Sequence, residues 1–540
     1  MTATSTSGLA RSSAAMAAGT IVSRVLGMVR AAMQTAVLGA LTVAANGWEV
    51  ANSLPNIVYL LLAGGVLNAV LVPQITRAAT HADGGREYVD RLLTLAIAAM
   101  AVLTLVTTLG AGLLVRVYAN GFDRPTAALS TSFALICLPQ IFGYGMYTLL
   151  GQVLNARGRF AAYMWAPVVA NVVAIAGLAT FLATMPTQAD PGRWTPQMVW
   201  LLAGSATAGV FAQALVLVLP LRRSGFRYRP RWGLRGVGLR TASRVAMWTF
   251  AALAVSQLGF VVTSQVLTSV AQRQPGRYAY GQAFLLFMLP HSLVTVSLVT
   301  ALFTRMSQAA AAADLTRVRR DVQRGLSLAA VATVPASVGG MMLAGAITGT
   351  LYFNQSRAEQ HGIAGIMAAM LAGLVPFGAL YLLQRVFYAF EDARTPFVLQ
   401  VLVTAVATTV NLSALALPDQ VVGIAVGAGQ SASNLVGAVV GVVLARRLLG
   451  GLPMSRVIRT HVRLLLAAAV AAAICWPMVL LLTGLLGGRL QGPVVLLAAG
   501  SVYGGVYLGV AHALRVRELT EVLHPLLSRA RRMGPGAGRA

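Results

Sequence analysis

Apolar stretches of roughly 20 residues recur through this chain of 540, each long enough to cross a bilayer as a helix. Hydrocarbon offers the backbone no water, so a spanning segment must satisfy its own amide groups, and runs of this length do so as α-helices. The expected fold is all-α and polytopic. About 14 transmembrane helices can be bounded by charges or turn residues, among them 13–40, 47–75, 325–352, 362–389 and 491–514. With 57% hydrophobic and only 10% charged residues, the chain is no ordinary soluble globular domain.

All 41 basic residues are arginine, and the formal net charge is +27. They fall between the apolar stretches rather than on one soluble face, which follows the positive-inside rule and argues against a nucleic-acid partner. With the amino terminus in the cytoplasm, 32 arginines lie in inside segments and span ends and 7 outside, leaving Arg24 and Arg30 within the membrane. Both termini are therefore expected inside. The first apolar run meets Arg24 too early for a cleavable signal and is read as a retained span. Membrane lipids are expected partners of the basic stretch 221–240 and of an amphipathic tail. Cys137 and Cys475 both lie in apolar segments, so no disulfide and no metal site is expected.

Two stretches echo each other. "LLGQVLNARGRF" from Leu149 resembles "LLQRVFYAFEDARTPF" from Leu382, an offset of 233 residues. "LPNIVYLLLAGGVLNAVLVPQITRAA" from Leu54 resembles "LPHSLVTVSLVTALFTRMSQAA" from Leu289, an offset of 235. Duplicated halves of six spans share one orientation and place a cavity between two pseudo-symmetric lobes, a common transporter plan. The expected layout is an N-terminal lobe at 1–221, a basic linker at 222–240 and a C-terminal lobe at 241–447. An extra helix pair at 448–514 and a cytoplasmic tail at 515–540 follow.

The polar residues inside this apolar chain are the candidates for function, because a charge at mid-bilayer costs at least a few kcal/mol. Arg24 and Arg30 sit about 120° apart around one helix and about 9 Å apart along it. Either could line a hydrated cavity. The alternatives are snorkelling for Arg24 and a structural pair for Arg30. Asn46, Glu49, Ser53 and Asn56 share one face of the second span, beside Pro55, whose missing amide frees a backbone carbonyl. This stripe suits either a hydrated cavity or a hydrogen-bonded seam between helices. Glu49 is a candidate counter-ion for Arg30 or a proton-coupling carboxylate. Span 7 offers Ser256, Gln257, Thr263, Ser264 and Gln265 as lining from the second half; His291 follows Pro290 and reads as structural. Arginine forks bind phosphate oxygens in pairs and stay charged at any physiological pH, so the set suits an anionic head group. No catalytic arrangement and no cofactor motif stands out, so the chain is read as a non-enzyme with no cofactor.

The segments "SRVLGMVR", "LPNIVYLLLAGGVLNAVLVPQ", "LNARGRFAAYMWAPVVANV" and "FYAFEDARTP" resemble the MurJ (MviN) family of lipid II flippases, within the multidrug/oligosaccharidyl-lipid/polysaccharide exporter superfamily. The resemblance runs in order across roughly residues 15 to 450. It implies fourteen helices, two six-helix lobes, a cationic central cavity, and a groove for the lipid tail on the extra pair. It also implies flipping of undecaprenyl-pyrophosphate-linked peptidoglycan precursor to the outer leaflet of a bacterial cytoplasmic membrane. Cell-wall synthesis proteins are further candidate partners. By motif, Arg24 and Arg30 match the two first-helix arginines and Ser23 the serine before them. Elsewhere the sequence departs: expected arginines fall on Tyr59 and Leu285, and expected acids on Asn46 and Gly64. Two other roles stay open, a drug/cation antiporter of the same superfamily and a non-transporting scaffold of cell-wall synthesis.

Overall fold

The computed structural model describes residues 6–62, 86–157, 159–226, 228–233, 244–270 and 274–521. The described chain is helical, and its contacts divide it into two compact units, Met1–Tyr278 and Ala279–Ala540. Twelve described helices are long and apolar enough to cross a membrane, or thirteen when one bent pair is taken as a single span. The second span, expected at 47–75, begins as a helix at Val43, and its part beyond Leu62 lies outside the described residues. So do Gly64, part of the basic loop and most of the tail.

The first unit contains α1 (Thr6–Leu38), α2 (Val43–Leu62), α3 (Arg86–Leu109), α4 (Ala111–Tyr118), α5 (Arg124–Cys137), α6 (Gln140–Ala156), α7 (Phe160–Thr184), α8 (Pro196–Arg223) and α9 (Arg244–Thr268). α1 stops at Gly39, whose φ of +73° suits a residue without a Cβ, and the Gly39 amide closes the helix on the Thr35 carbonyl at 2.8 Å. Small residues let α1 lie close on α7: a Cβ at Gly19 would come within 2.9 Å of the Trp165 ring. Trp48, fully buried, meets Phe133 edge-on at 5.3 Å and anchors α2 to α5.

The contact division falls after the seventh long helix, not in the basic loop, where the sequence pattern puts the lobe boundary. The physical reason is α9's docking on the first unit. Gln265 donates to the Val117 carbonyl at 2.8 Å, and Phe260 lies against Tyr118 with ring centres 6.3 Å apart.

The second unit contains α10 (Arg277–Ala311, whose first two residues belong to the first unit), α11 (Leu315–Met342), α12 (Ala344–Leu351), α13 (Arg357–Leu371), α14 (Leu374–Ala389), α15 (Arg394–Ser413), α16 (Asp419–Leu448), α17 (Ser455–Leu485) and α18 (Gln491–Ala513). α13 and α14 form the bent pair, meeting at 47°. The prolines singled out in the sequence have local consequences. Pro290 is followed by a π-helical turn at His291–Thr295. Pro335 cannot donate to the Val331 carbonyl, and the Tyr507 hydroxyl on α18 donates there instead at 2.9 Å. Tyr503 donates to the Pro335 carbonyl at 3.1 Å. The C-terminal helix pair is thus fastened to α11 where its backbone ladder is interrupted.

Candidate functional site

The seven candidate residues all lie in the first unit, where their surroundings differ. Arg24 is exposed on α1. Arg30, six residues on, is half-buried, and its Nε is enclosed with no hydrogen-bond partner. It lies within electrostatic range of the Tyr144 hydroxyl on α6. No ion pair with a carboxylate is formed by Arg30 among the described residues. Ser23 faces α7, where the Asn171 amide donates to its backbone carbonyl at 3.0 Å and approaches its hydroxyl at 3.5 Å. That bond ties α1 to α7 one residue before Arg24.

The α2 stripe does not act as one surface. Asn46 is buried, and its Oδ1 accepts from the Tyr278 amide at 2.9 Å. Glu49 has a partner, but it is Arg277 at 3.3 Å and not Arg30. The Arg277 side chain is 4% exposed and its guanidinium lies 4.8 Å over the Phe260 ring, so Glu49 neutralises a cation held away from water. Tyr278 extends the same seam, since its hydroxyl meets Thr35 of α1 at 3.0 Å. The upper half of the stripe is therefore a hydrogen-bonded seam to the start of α10. Ser53 is half-buried and donates to the Val50 carbonyl on its own helix at 2.9 Å; Asn56 is exposed.

Two groups escaped sequence reasoning. Arg277 and Tyr278 sit at a helix start, where arginine reads as an ordinary span-end charge. The second group is a polar row on α6. Gln140, Tyr144 and Thr148 recur every four residues, a spacing that places them on one helix face. Tyr144 donates to Gln140 at 3.3 Å, Gln140 to Thr207 at 2.9 Å, and Thr148 shares a 2.5 Å bond with Tyr59. The four-residue period was the available signal. Tyr59, standing where the resemblance places an arginine, carries a hydroxyl in this row instead of a charge, and its ring lies 5.7 Å from Tyr144. Arg30 thus borders a neutral, hydroxyl-rich wall. Such a wall can donate to phosphate oxygens but cannot cancel the guanidinium charge.

Over residues 35–489 the sequence matches the family described as lipid II flippase MurJ. The chain belongs to the lipid II flippase MurJ family. A lipid II flippase MurJ from Burkholderia cenocepacia is 28% identical over 389 residues, covering 70% of this chain and 72% of the relative. A probable lipid II flippase MurJ from Haemophilus influenzae is 23% identical over 433 residues, covering 77% and 82%. Among solved structures, a lipid II flippase MurJ in an inward closed conformation shares the fold. Its TM-score is 0.72 at 16% identity, over 95% of this chain and 99% of that one. An inward-facing MATE family transporter of the MOP superfamily is similar with a TM-score of 0.66 at 15% identity, over 79% and 94%. The likeness to the MurJ structure covers 95% of this chain, whereas the MATE likeness covers 79%.

Proposed function

We propose that this MurJ-family chain carries lipid II, the undecaprenyl-pyrophosphate-linked peptidoglycan precursor, from the inner to the outer leaflet of the bacterial cytoplasmic membrane by alternating access, with both termini in the cytoplasm. The observation that carries this reading is the unneutralised Arg30. Glu49, the candidate counter-ion on the next helix, is occupied by Arg277, so the membrane cation is left for an anion that arrives and departs. Arg24, on the same helix and about 9 Å away along it, supplies a second cation for a diphosphate. Ser53 and Asn56 bind polar parts of the head group. Asn46 and Glu49 act indirectly, by holding α2 to the chain at Arg277 and Tyr278, and Ser23 sets the rotation of α1. A drug/cation antiporter would need a free carboxylate, and Glu49 is not one. Cell-wall synthesis proteins are the proposed partners of the basic loop and tail.

The test is a leaflet-accessibility assay for labelled lipid II in cells depleted of their own flippase and complemented with this chain. The wild-type chain restores outward movement, Arg30→Ala does not, and Arg30→Lys restores only part, since an ammonium cannot bind two oxygens as a fork. Normal movement with Arg30→Ala would reject the reading. A scaffold would also be left working by that substitution.

A further inference from the structure

Pro290 and His291 hold in the second unit the place that Pro55 and Asn56 hold in the first, 235 residues earlier. The backbone treats the two places differently. α2 stays helical through Pro55, whereas α10 widens into a π-helical turn over His291–Thr295, with the Val296 amide donating to the His291 carbonyl five residues back. Turns of this kind are frequent at functional positions. His291 is 2% exposed. Its ring lies against Phe377 with centres 4.3 Å apart, and edge-on to Tyr381 at 5.3 Å, both on α14.

A histidine kept for structure alone uses its ring nitrogens in hydrogen bonds. Here Nδ1 is enclosed with no partner, and so is the hydroxyl of Thr295, one turn on and fully buried. Neighbouring hydroxyls show the ordinary alternative. Ser292 donates to the Leu289 carbonyl at 3.1 Å, Ser297 to Leu293 at 3.0 Å, and Thr333 of α11 to Ala329 at 2.9 Å. Thr295 faces Gly378, where a Cβ would stand 3.4 Å from its hydroxyl, beside the Phe377 on which His291 lies. Both residues thus meet the same stretch of α14 and leave a polar atom unused there, which costs stability.

The helices packed on the turn, α11 and α14, hold no counter-ion for a charged ring. α14 presents Tyr381, whose hydroxyl accepts from the Arg385 guanidinium at 3.1 Å, so the charge reaching His291 from that side is positive. α11 carries no titratable side chain between Arg324 and Met342, and α10 has no carboxylate. An imidazolium is poorly accommodated in this arrangement and far better in one where the ring reaches water.

We infer that His291 is a proton-binding site and that the turn His291–Thr295 is the hinge it works. The neutral ring holds α10 against Phe377 and Tyr381. A proton taken from water onto Nδ1 favours a second arrangement, in which the ring leaves α14 and is hydrated. A ligand shifts such an equilibrium only through its different affinity for the two states, and the missing counter-ion supplies that difference. The site and its hinge stand without the cargo; their use as the proton coupling of the transport cycle rests on the reading above.

Hydrogen–deuterium exchange of the full chain in detergent, with exchange times scaled for the intrinsic rate, tests the inference. Backbone amides from Leu286 to Val296 should exchange about tenfold faster at about pH 5 than at about pH 8. His291→Gln should remove the difference, and Thr295→Val, which keeps the ring and nearly the shape, should narrow it. Should His291→Gln fail to fold, exchange at the imidazole carbon between the two nitrogens titrates the wild-type ring directly. Equal exchange of the wild type at both pH values, a difference that survives His291→Gln, or a ring still neutral at about pH 5 overturns the site. In the leaflet-accessibility assay His291→Gln should flatten the pH dependence of lipid II movement, and an unchanged profile overturns the coupling. No movement by the wild type at any pH would instead overturn the cargo and leave the exchange result standing.

Discussion

The two halves of the chain share a backbone plan and differ in where they put charge. α4 and α12 are both eight residues long, and their first residues, Ala111 and Ala344, are 233 apart. The same offset separates the starts of α5 and α13, at Arg124 and Arg357, and the ends of α6 and α14, at Ala156 and Ala389. Even the repair of a broken helix is repeated. Where α5 passes into α6, the Thr207 hydroxyl donates to the Ile136 carbonyl at 2.9 Å. Where α13 passes into α14, the Ser431 hydroxyl donates to the Ala369 carbonyl at 2.6 Å, and Ile136 and Ala369 are again 233 apart. Hydrocarbon cannot solvate a freed carbonyl, so both halves retain a hydroxyl from a neighbouring helix at that point. Charge follows no such rule. At the same offset, Arg24 and Arg30 of α1 correspond to Gln257 and Thr263 of α9. Duplication has kept the groups that every membrane helix needs, while the costly cations stand in one half only.

The largest expected effect tests that asymmetry. Arg30→Ala should abolish lipid II movement while Thr263→Val leaves it near wild type, both read in the leaflet-accessibility assay; equal losses would mean that the halves share the binding work. Next is Glu49→Gln, which strands the nearly buried Arg277 and should destabilise the first unit by about 3 kcal/mol, read as a lower unfolding temperature in detergent. Adding Arg277→Gln should recover part of that loss. A smaller pair sharpens the structural equivalence: Ser431→Ala should cost about 1 kcal/mol, and Thr207→Val, which also strands the Gln140 amide, about 2 kcal/mol; a Thr207→Val cost no larger than that of Ser431→Ala would show that the two breaks are supported unequally. Tyr507→Phe, which removes the donor to Val331, should also cost about 1 kcal/mol or less. It has a further signature, faster amide hydrogen exchange in α11 around Pro335.

Much of this was legible in the residues alone. The apolar runs at 13–40 and 491–514 became helices at Thr6–Leu38 and Gln491–Ala513, since the bilayer leaves an apolar segment few alternatives. The repeat was visible in the "LLGQVLNARGRF" and "LLQRVFYAFEDARTPF" stretches because turn residues and helix ends carry their own local chemistry. The site was legible in part. Arg24 and Arg30 were marked out by cost, as any cation in a span would be. The stripe from Asn46 to Asn56 was recognisable as one helix face, yet the face splits, because what a face meets depends on its neighbours. The α6 row was hidden by its own ordinariness: glutamine, tyrosine and threonine in a span cost less than a charge and attract less notice.

By itself the sequence determined an all-helical membrane protein, a twofold internal plan and a cationic opening helix, all properties of segments that a local count of hydrophobicity and charge reveals. Tertiary structure alone decided that Glu49 pairs with Arg277, a residue 228 positions away, and that Arg30 has no carboxylate partner among the described residues. Pairing depends on how far helices are rotated and staggered against one another. A shift of one turn, about 5.4 Å, exchanges one partner for the next without altering a single apolar run.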